Sequence, residues 1–186
     1  MAEVLFRHQL QARGVTGVRV SSAGLLEGGF PPEPEVIQVL AEMGVEPPAL
    51  HVSRQISREM IEDADLVLTM ERGHLREAVV MVPSAFEKVF CLREFVARAG
   101  RVGARRVEET PHEYLARVGA GRGTADLLGS SEEDEVPDPM GRGMREFRRV
   151  AVMLADASRA VVRSMWPDDR ESIGRWSSPR DTSGEE

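Results

Sequence analysis

Asp138 has the setting that could most readily support chemistry. It stands between Pro137 and Pro139, and a residue that precedes proline is driven towards extended backbone geometry. A carboxyl group presented by such a stiff loop can donate or accept a proton in a reaction. The same Asp-Pro pattern is typical of an ordinary turn, so its role depends on the elements that surround it.

Cys91 is the sole cysteine among 186 residues, so the chain can form neither an internal disulfide nor a cysteine-based zinc site. It lies in the apolar run Val89–Leu92, with no glycine-rich turn after it. We therefore predict a buried structural thiol and not a nucleophile. The histidines show no metal-ligand spacing: they are His8, His51, His74 and His112.

The composition is that of an acidic globular protein. Apolar residues make up 41% and charged residues 30%, with a formal net charge of −7. The acid excess argues against nucleic acid as a partner, because a phosphate backbone demands a basic face. No apolar run approaches the roughly 18 residues of a membrane helix, and the first residues do not form a signal peptide. We expect a cytoplasmic protein with no membrane contact.

The elements predicted to position these residues alternate along the chain. The predicted strands are the alternating segment V-R-V at 18–20 and the apolar runs at 66–68 and 89–92. The predicted helices share an apolar stripe at helical spacing and cover 1–13, 35–43, 58–63, 72–81 and 144–165. Ser57 is the predicted N-cap of the third helix. This alternation predicts an α/β fold with a parallel sheet between helices.

The length predicts one domain, at residues 1–166. Residues 97–134 are the least regular part of it, and Arg98, Arg101, Arg105 and Arg106 form a basic, solvated patch there. A short helix fits 112–118. The polar tail at 167–186 is predicted to be disordered, because it cannot bury enough apolar surface.

Six segments, in this order and spacing, resemble the low-molecular-weight protein tyrosine phosphatases. They are MAEVLFRHQL at the start, SSAG at 21–24, HVSRQIS at 51–57, DADLVLTMERGHL at 63–75, VFCLREF at 89–95 and VPDPMGRGMREFRR at 136–149. The resemblance covers roughly 1–96 and 135–165 and leaves 97–134 as an insertion. It implies a three-layer α/β sandwich with a short parallel sheet that lacks the family's first, central strand.

The family carries a Cys-x5-Arg loop directly before its first helix, and this chain does not contain one. In that loop a thiolate attacks phosphorus, while backbone N–H groups and the arginine hold the phosphoryl oxygens. Two explanations stay open: an internal methionine chosen as the start, or a remnant that lost the segment. The absent strand would lie between 18–22 and 65–70, and we expect 65–70 to pair in parallel with 89–92.

The resemblance also assigns roles to individual residues. It implies that Asp138 is the general acid and that Ser22 supports the nucleophile loop by hydrogen bonding. It further implies that Arg54 braces the same region and pairs with Glu71. Met140 stands where the family usually has an aromatic residue that walls the phenyl ring, which leaves phosphomonoesters other than phosphotyrosine open.

The function implied is a protein-tyrosine-phosphatase-like hydrolase of phosphomonoesters that works through a cysteinyl-phosphate intermediate without metal or organic cofactor. Its partner would be a phosphorylated protein or a small aryl phosphate, and the chain as given is expected to be inactive. One alternative is a non-catalytic interaction protein on a remnant fold. A thiol-dependent arsenate reductase is the other alternative, but it needs further cysteines. The sequence gives neither substrate identity nor oligomeric state.

Overall fold

The computed structural model describes residues 1–46, 51–129 and 132–167. At its centre, strand β1 (Val67–Thr69) pairs in parallel with strand β2 (Val89–Cys91), with Val67 opposite Val89. This pairing confirms the parallel arrangement predicted for the two apolar runs. The predicted tail beyond residue 167 lies outside the described residues.

Eight α-helices surround this pair in the described residues, and none of them is long and apolar enough to cross a membrane. The helices are α1 (Ala2–Ala12), α2 (Pro34–Glu42), α3 (Arg58–Asp63), α4 (Arg72–Met81), α5 (Leu92–Val102), α6 (Pro111–Gly119), α7 (Thr124–Leu128) and α8 (Met144–Met165). The bounds of α3, α4 and α8 match the predictions, and those of α1 and α2 differ by one residue at each end. The predicted N-cap is also confirmed, because the Ser57 hydroxyl accepts a hydrogen bond from the Met60 amide at 3.3 Å.

The strands separate two apolar cores because successive side chains point to opposite faces. Phe90 and Leu68 belong to the larger core, which also contains α1, α5, α6 and α8. Val89 and Cys91 belong to a smaller core with α3, α4 and the 3-10 helix Pro83–Lys88. Helices therefore cover both faces of the sheet, and the fold is the predicted three-layer α/β sandwich.

The predicted strand at 18–20 is wrong. Residues 18–23 form no ladder, and the one bridge nearby joins Gly24 to Gln55. A strand requires a partner for its backbone groups, and within the described residues no backbone hydrogen bond joins 18–22 to 65–70. The sheet has not closed across the position where we expected a strand to be absent.

Residues 97–134, the predicted insertion, are more regular than the sequence suggests. Helix α5 was not predicted, and α6 and α7 follow it, with a 3-10 helix at Glu132–Asp134. The predicted basic patch is divided, since only Arg101 and Arg106 are exposed. Arg98 donates to Glu94, and Arg105 donates to the Met165 carbonyl.

Glu109, just before α6, forms a bidentate ion pair with Arg117 in α6, at 2.8 and 2.7 Å. This hydrogen bonding lowers the pKa of Glu109 from about 4.5 to about 2. A carboxyl whose folded pKa is depressed contributes stability above its unfolded pKa and loses it as the pH falls through the folded pKa. We expect Glu109→Gln to flatten the loss of stability between pH 4.5 and about 2, measured by urea unfolding at a series of pH values.

Glu108→Gln is the matched control, because Glu108 is exposed and makes no ion pair within the described residues. The slope of unfolding free energy against pH should stay that of the parent chain in this variant. Equal slopes in the Glu109 variant and the parent chain would contradict the prediction.

Candidate active site

The acid loop, residues 135–143, follows the 3-10 helix Glu132–Asp134 and leads into α8. Its first part is tied to the body of the protein: the Glu135 carbonyl accepts from Arg93 Nη1 at 3.0 Å. The buried Val136 donates its amide to the Met70 carbonyl at 2.7 Å. The base of the loop is therefore fixed to the sheet.

Asp138 is exposed at the tip of this loop. Its Oδ1 accepts a hydrogen bond from the Met140 amide at 2.9 Å, which orients the carboxylate against its own turn. Gly141 and Gly143 have φ angles of 70° and 75°, a left-handed conformation that glycine adopts without steric cost. They turn the chain from Asp138 into α8. Met140 itself is 53% exposed.

Ser22 lies beside the first turn of α1, where it donates its hydroxyl to Glu3 Oε2 at 2.5 Å. Glu3 is buried and also pairs with Arg7 Nη2 at 2.6 Å, and Arg7 in turn donates to the Val20 carbonyl at 2.7 Å. Sequence reasoning missed Glu3. The four-residue spacing of Glu3 and Arg7 was a signal for their pairing, but nothing local indicated that the carboxylate is buried.

The starts of α1 and α8 lie at the same end of the molecule. Met1 and Met144 both pack against the cluster of Val39, Phe147 and Ala151. The acid loop therefore arrives where α1 begins, and the first N–H groups of a helix favour anionic ligands.

A cavity of about 140 Å³ opens beside the start of α1. Most of its lining is apolar, and Glu3, His51 and Ser53 supply the polar groups. The apolar lining comes from Met1, Val4, Phe30, Pro31, Pro32, Val36, Ile37 and Leu40. The contribution of His51 was not predicted, because its neighbours in space come from distant parts of the chain.

The predicted ion pair between Arg54 and Glu71 is absent from the described residues. Glu71 Oε1 lies 3.1 Å from His74 Nε2, one turn into α4. Arg54 is exposed, and its carbonyl accepts from the Gly24 amide at 2.9 Å. Its backbone is thus bonded to the segment that follows Ser22, while Glu71 is engaged on its own helix.

Cys91 is fully buried, as predicted, and ends β2 directly before α5. Burial raises the pKa of its thiol, and the Thr69 hydroxyl, 3.6 Å away, offsets this only in part. A thiol held protonated in an apolar setting is a poor nucleophile. Among the described residues, no group of three or more His, Cys, Asp or Glu could hold a metal ion.

A network of buried charges lies next to Cys91. Glu94 accepts from Arg98 Nε at 2.9 Å, and Arg122 Nε lies 3.0 Å from its Oε1. Arg72 forms an ion pair with Asp134. Burial by itself would lower the pKa of Arg72, but the hydrogen bond to Asp134 and the charges of Glu94 and Asp134 raise it above its ordinary value. No pattern in the sequence indicated this network.

A parallel α/β sandwich with a carboxylate-bearing loop before its last helix defines the class of small phosphatases that the sequence resembles. Residues 1–114 match the family model described as low molecular weight phosphotyrosine protein phosphatase, and the chain belongs to this family.

Curated relatives carry two different activities in their names. The protein-arginine-phosphatase of Geobacillus stearothermophilus is 37% identical over 89 residues, which are 47% of this chain and 59% of the relative. The probable low molecular weight protein-tyrosine-phosphatase EpsP of Ralstonia solanacearum is 34% identical over 95 residues, 50% of this chain and 61% of the relative. The chain thus spans about three fifths of the curated relatives it matches.

Solved structures agree on the fold. A YwlE mutant from Bacillus subtilis superposes with a TM-score of 0.63 at 23% identity, covering 87% of this chain and 86% of the other. The low molecular weight phosphotyrosine phosphatase VcLMWPTP-2 from Vibrio cholerae O395 gives a TM-score of 0.63 at 22% identity, with coverages of 88% and 85%. At these identities the likeness establishes the three-dimensional architecture.

Proposed function

We propose that this chain carries the fold and the general acid of a phosphatase that removes phosphoryl groups from protein side chains. The observation that carries the proposal is the place of Asp138, an exposed carboxylate on an anchored loop at the end of the molecule where α1 begins. The 186 residues contain no Cys-x5-Arg segment, so turnover requires that segment ahead of α1.

In the proposed reaction the thiolate of that segment attacks phosphorus, and the bond from phosphorus to the leaving atom breaks. Protonated Asp138 gives its proton to the leaving atom, which departs uncharged. Water then attacks the phosphorus of the cysteinyl phosphate, the sulfur–phosphorus bond breaks, and the thiolate and inorganic phosphate are released. The Asp138 carboxylate takes a proton from that water, which restores the acid. The half-buried Ser22–Glu3 hydrogen bond holds the segment around Ser22 against the first turn of α1.

We further propose that phosphoarginine is a better substrate than phosphotyrosine. Met140, half-exposed two residues after Asp138, offers a flexible apolar side chain and no flat ring for a phenyl group to stack on. Its thioether suits the aliphatic stem of arginine. The name of the relative from Geobacillus stearothermophilus supports the same class of substrate.

The test uses the loop-bearing chain, defined as this chain preceded by the first strand and Cys-x5-Arg loop of a family member. Peptides phosphorylated on arginine should react with a kcat/KM roughly tenfold above that of the matching phosphotyrosine peptides. Met140→Phe should reduce this preference, because it restores an aromatic wall. Val152→Phe, which adds a ring at an exposed site on α8, is the matched control and should leave the preference unchanged.

Faster release of phosphate from the tyrosine peptides would show that the substrate proposal is wrong. Absence of turnover with every phosphopeptide, in a folded loop-bearing chain, would refute the phosphatase proposal and favour the non-catalytic interaction protein.

A further inference from the structure

Arg72 links the insertion to the acid loop from a buried position. It is the first residue of α4 and is only 7% exposed. One terminal nitrogen, Nη2, donates to the carboxylate of Asp134, and the other, Nη1, donates to the Asp126 carbonyl. A single guanidinium thus contacts both α7 and the 3-10 helix Glu132–Asp134. The 3-10 helix leads directly into the acid loop.

Only three residues separate Asp134 from Asp138, so the positions of the two are linked through a short backbone. The carbonyl of Glu135 and the amide of Val136 are both hydrogen bonded to the body of the protein. Pro137 has a fixed φ angle. A shift of Asp134 would weaken both hydrogen bonds, because they lie one and two residues away along the backbone, and would move the carboxyl at the loop tip.

We propose that Arg72 is a positioning residue that fixes the acid loop, and with it the carboxyl of Asp138, through its ion pair with Asp134. This inference rests on the proposed function, in which Asp138 is the general acid. A buried ion pair is a costly way to gain stability, since apolar side chains of similar volume often serve as well. Its two directed contacts give what an apolar pair does not, a defined placement of the Asp126 carbonyl and the Asp134 carboxylate.

The first arm of the test uses the 186-residue chain itself. Arg72→Gln should make the Val136 amide exchange with deuterium roughly tenfold faster, because its hydrogen bond to Met70 opens more often. Asp134→Asn removes the same ion pair with less change in volume and should act in the same direction. Arg76→Gln is the matched control, since Arg76 lies one turn further along α4 and is exposed. Within the described residues it donates only to the Leu127 carbonyl.

The second arm uses the loop-bearing chain. Arg72→Gln should lower kcat roughly tenfold for a poor leaving group while KM and the rate for an activated leaving group stay near those of the parent. In an Asp138→Asn background the same change should cost nothing more, because the acid that it positions is already absent.

Unchanged exchange at Val136 in both the Arg72 and the Asp134 variant would overturn the inference, whatever the activity. So would an equal loss of rate for both leaving groups, or a further loss in the Asp138→Asn background. A loop-bearing parent that shows no turnover at all refutes the proposed function, and the catalytic meaning of Arg72 with it. The exchange result then still decides whether Arg72 holds the loop.

Discussion

The purified 186-residue chain is expected to show no turnover of a small aryl phosphate. Its sole thiol is Cys91, which is fully buried, and this burial raises the pKa of the thiol. A site of this kind without its nucleophile loses nearly all of an acceleration of about 10⁶-fold or more. Steady-state release of the phenol, followed by absorbance at high protein concentration, measures this directly.

The loop-bearing chain is the positive control, and its nucleophile Cys→Ser variant is the negative one. Cys91→Ser in the 186-residue chain should change nothing in the assay. Turnover that survives Cys91→Ser in material free of contaminating phosphatase would contradict the prediction, because no thiol would remain to account for it.

Asp138→Asn in the loop-bearing chain should slow the expulsion of a poor leaving group by roughly 10²–10⁴-fold. The amide cannot donate an acidic proton, so the leaving atom has to depart with a developing negative charge. An activated phenol, which leaves readily as its anion, should be affected far less. Single-turnover measurements with a series of phenols of different acidity give the dependence.

Asp156→Asn provides the matched control, since Asp156 is an exposed carboxylate on α8 that pairs with Arg159. It should leave both rates unchanged. If Asp138→Asn slows poor and activated leaving groups by the same factor, Asp138 is not the general acid.

The elements with a clean apolar period were predictable from the sequence. Helix α8 carries an uninterrupted stripe and begins after Gly143, so its bounds were readable. The N-cap at Ser57 likewise set the start of α3. The short strands could be placed because apolar runs of three residues between polar flanks have no helical alternative of sufficient length.

Helix α5 could not be seen because it starts within the apolar run that forms β2. Cys91 ends the strand and Leu92 begins the helix, with no glycine or proline between them. The apolar pattern of the strand runs directly into that of the helix, so the predicted strand at 89–92 included Leu92, the first residue of α5. The opposite error occurred at Val18–Val20, where alternation was present but no strand in the described part of the chain pairs with this segment.

The candidate site was predictable only where one loop carries it. Asp138 and Met140 lie on that loop, and the flanking prolines made it visible. The pairing of Arg54 with Glu71 required knowledge of how two distant segments face each other. In the structure Glu71 instead lies beside His74, and the Ser22 hydroxyl donates a hydrogen bond to Glu3. Whether these contacts serve catalysis as we propose is decided by the leaving-group experiments.

Arg122 anchors residues 97–134 in the buried interior of the protein. Its guanidinium lies 4.5 Å from the centre of the Phe86 ring and 4.0 Å from that of Phe90, and it faces the buried carboxylate of Glu94. Removing one partner of a buried ion pair costs about 3–5 kcal/mol. Deletion of residues 97–134 would leave the Glu94 carboxylate buried without Arg98 and Arg122, the arginines that pair with it. Deletion of residues 97–134 would therefore require a compensating change at Glu94. We expect this segment to be an obligate part of the folded core.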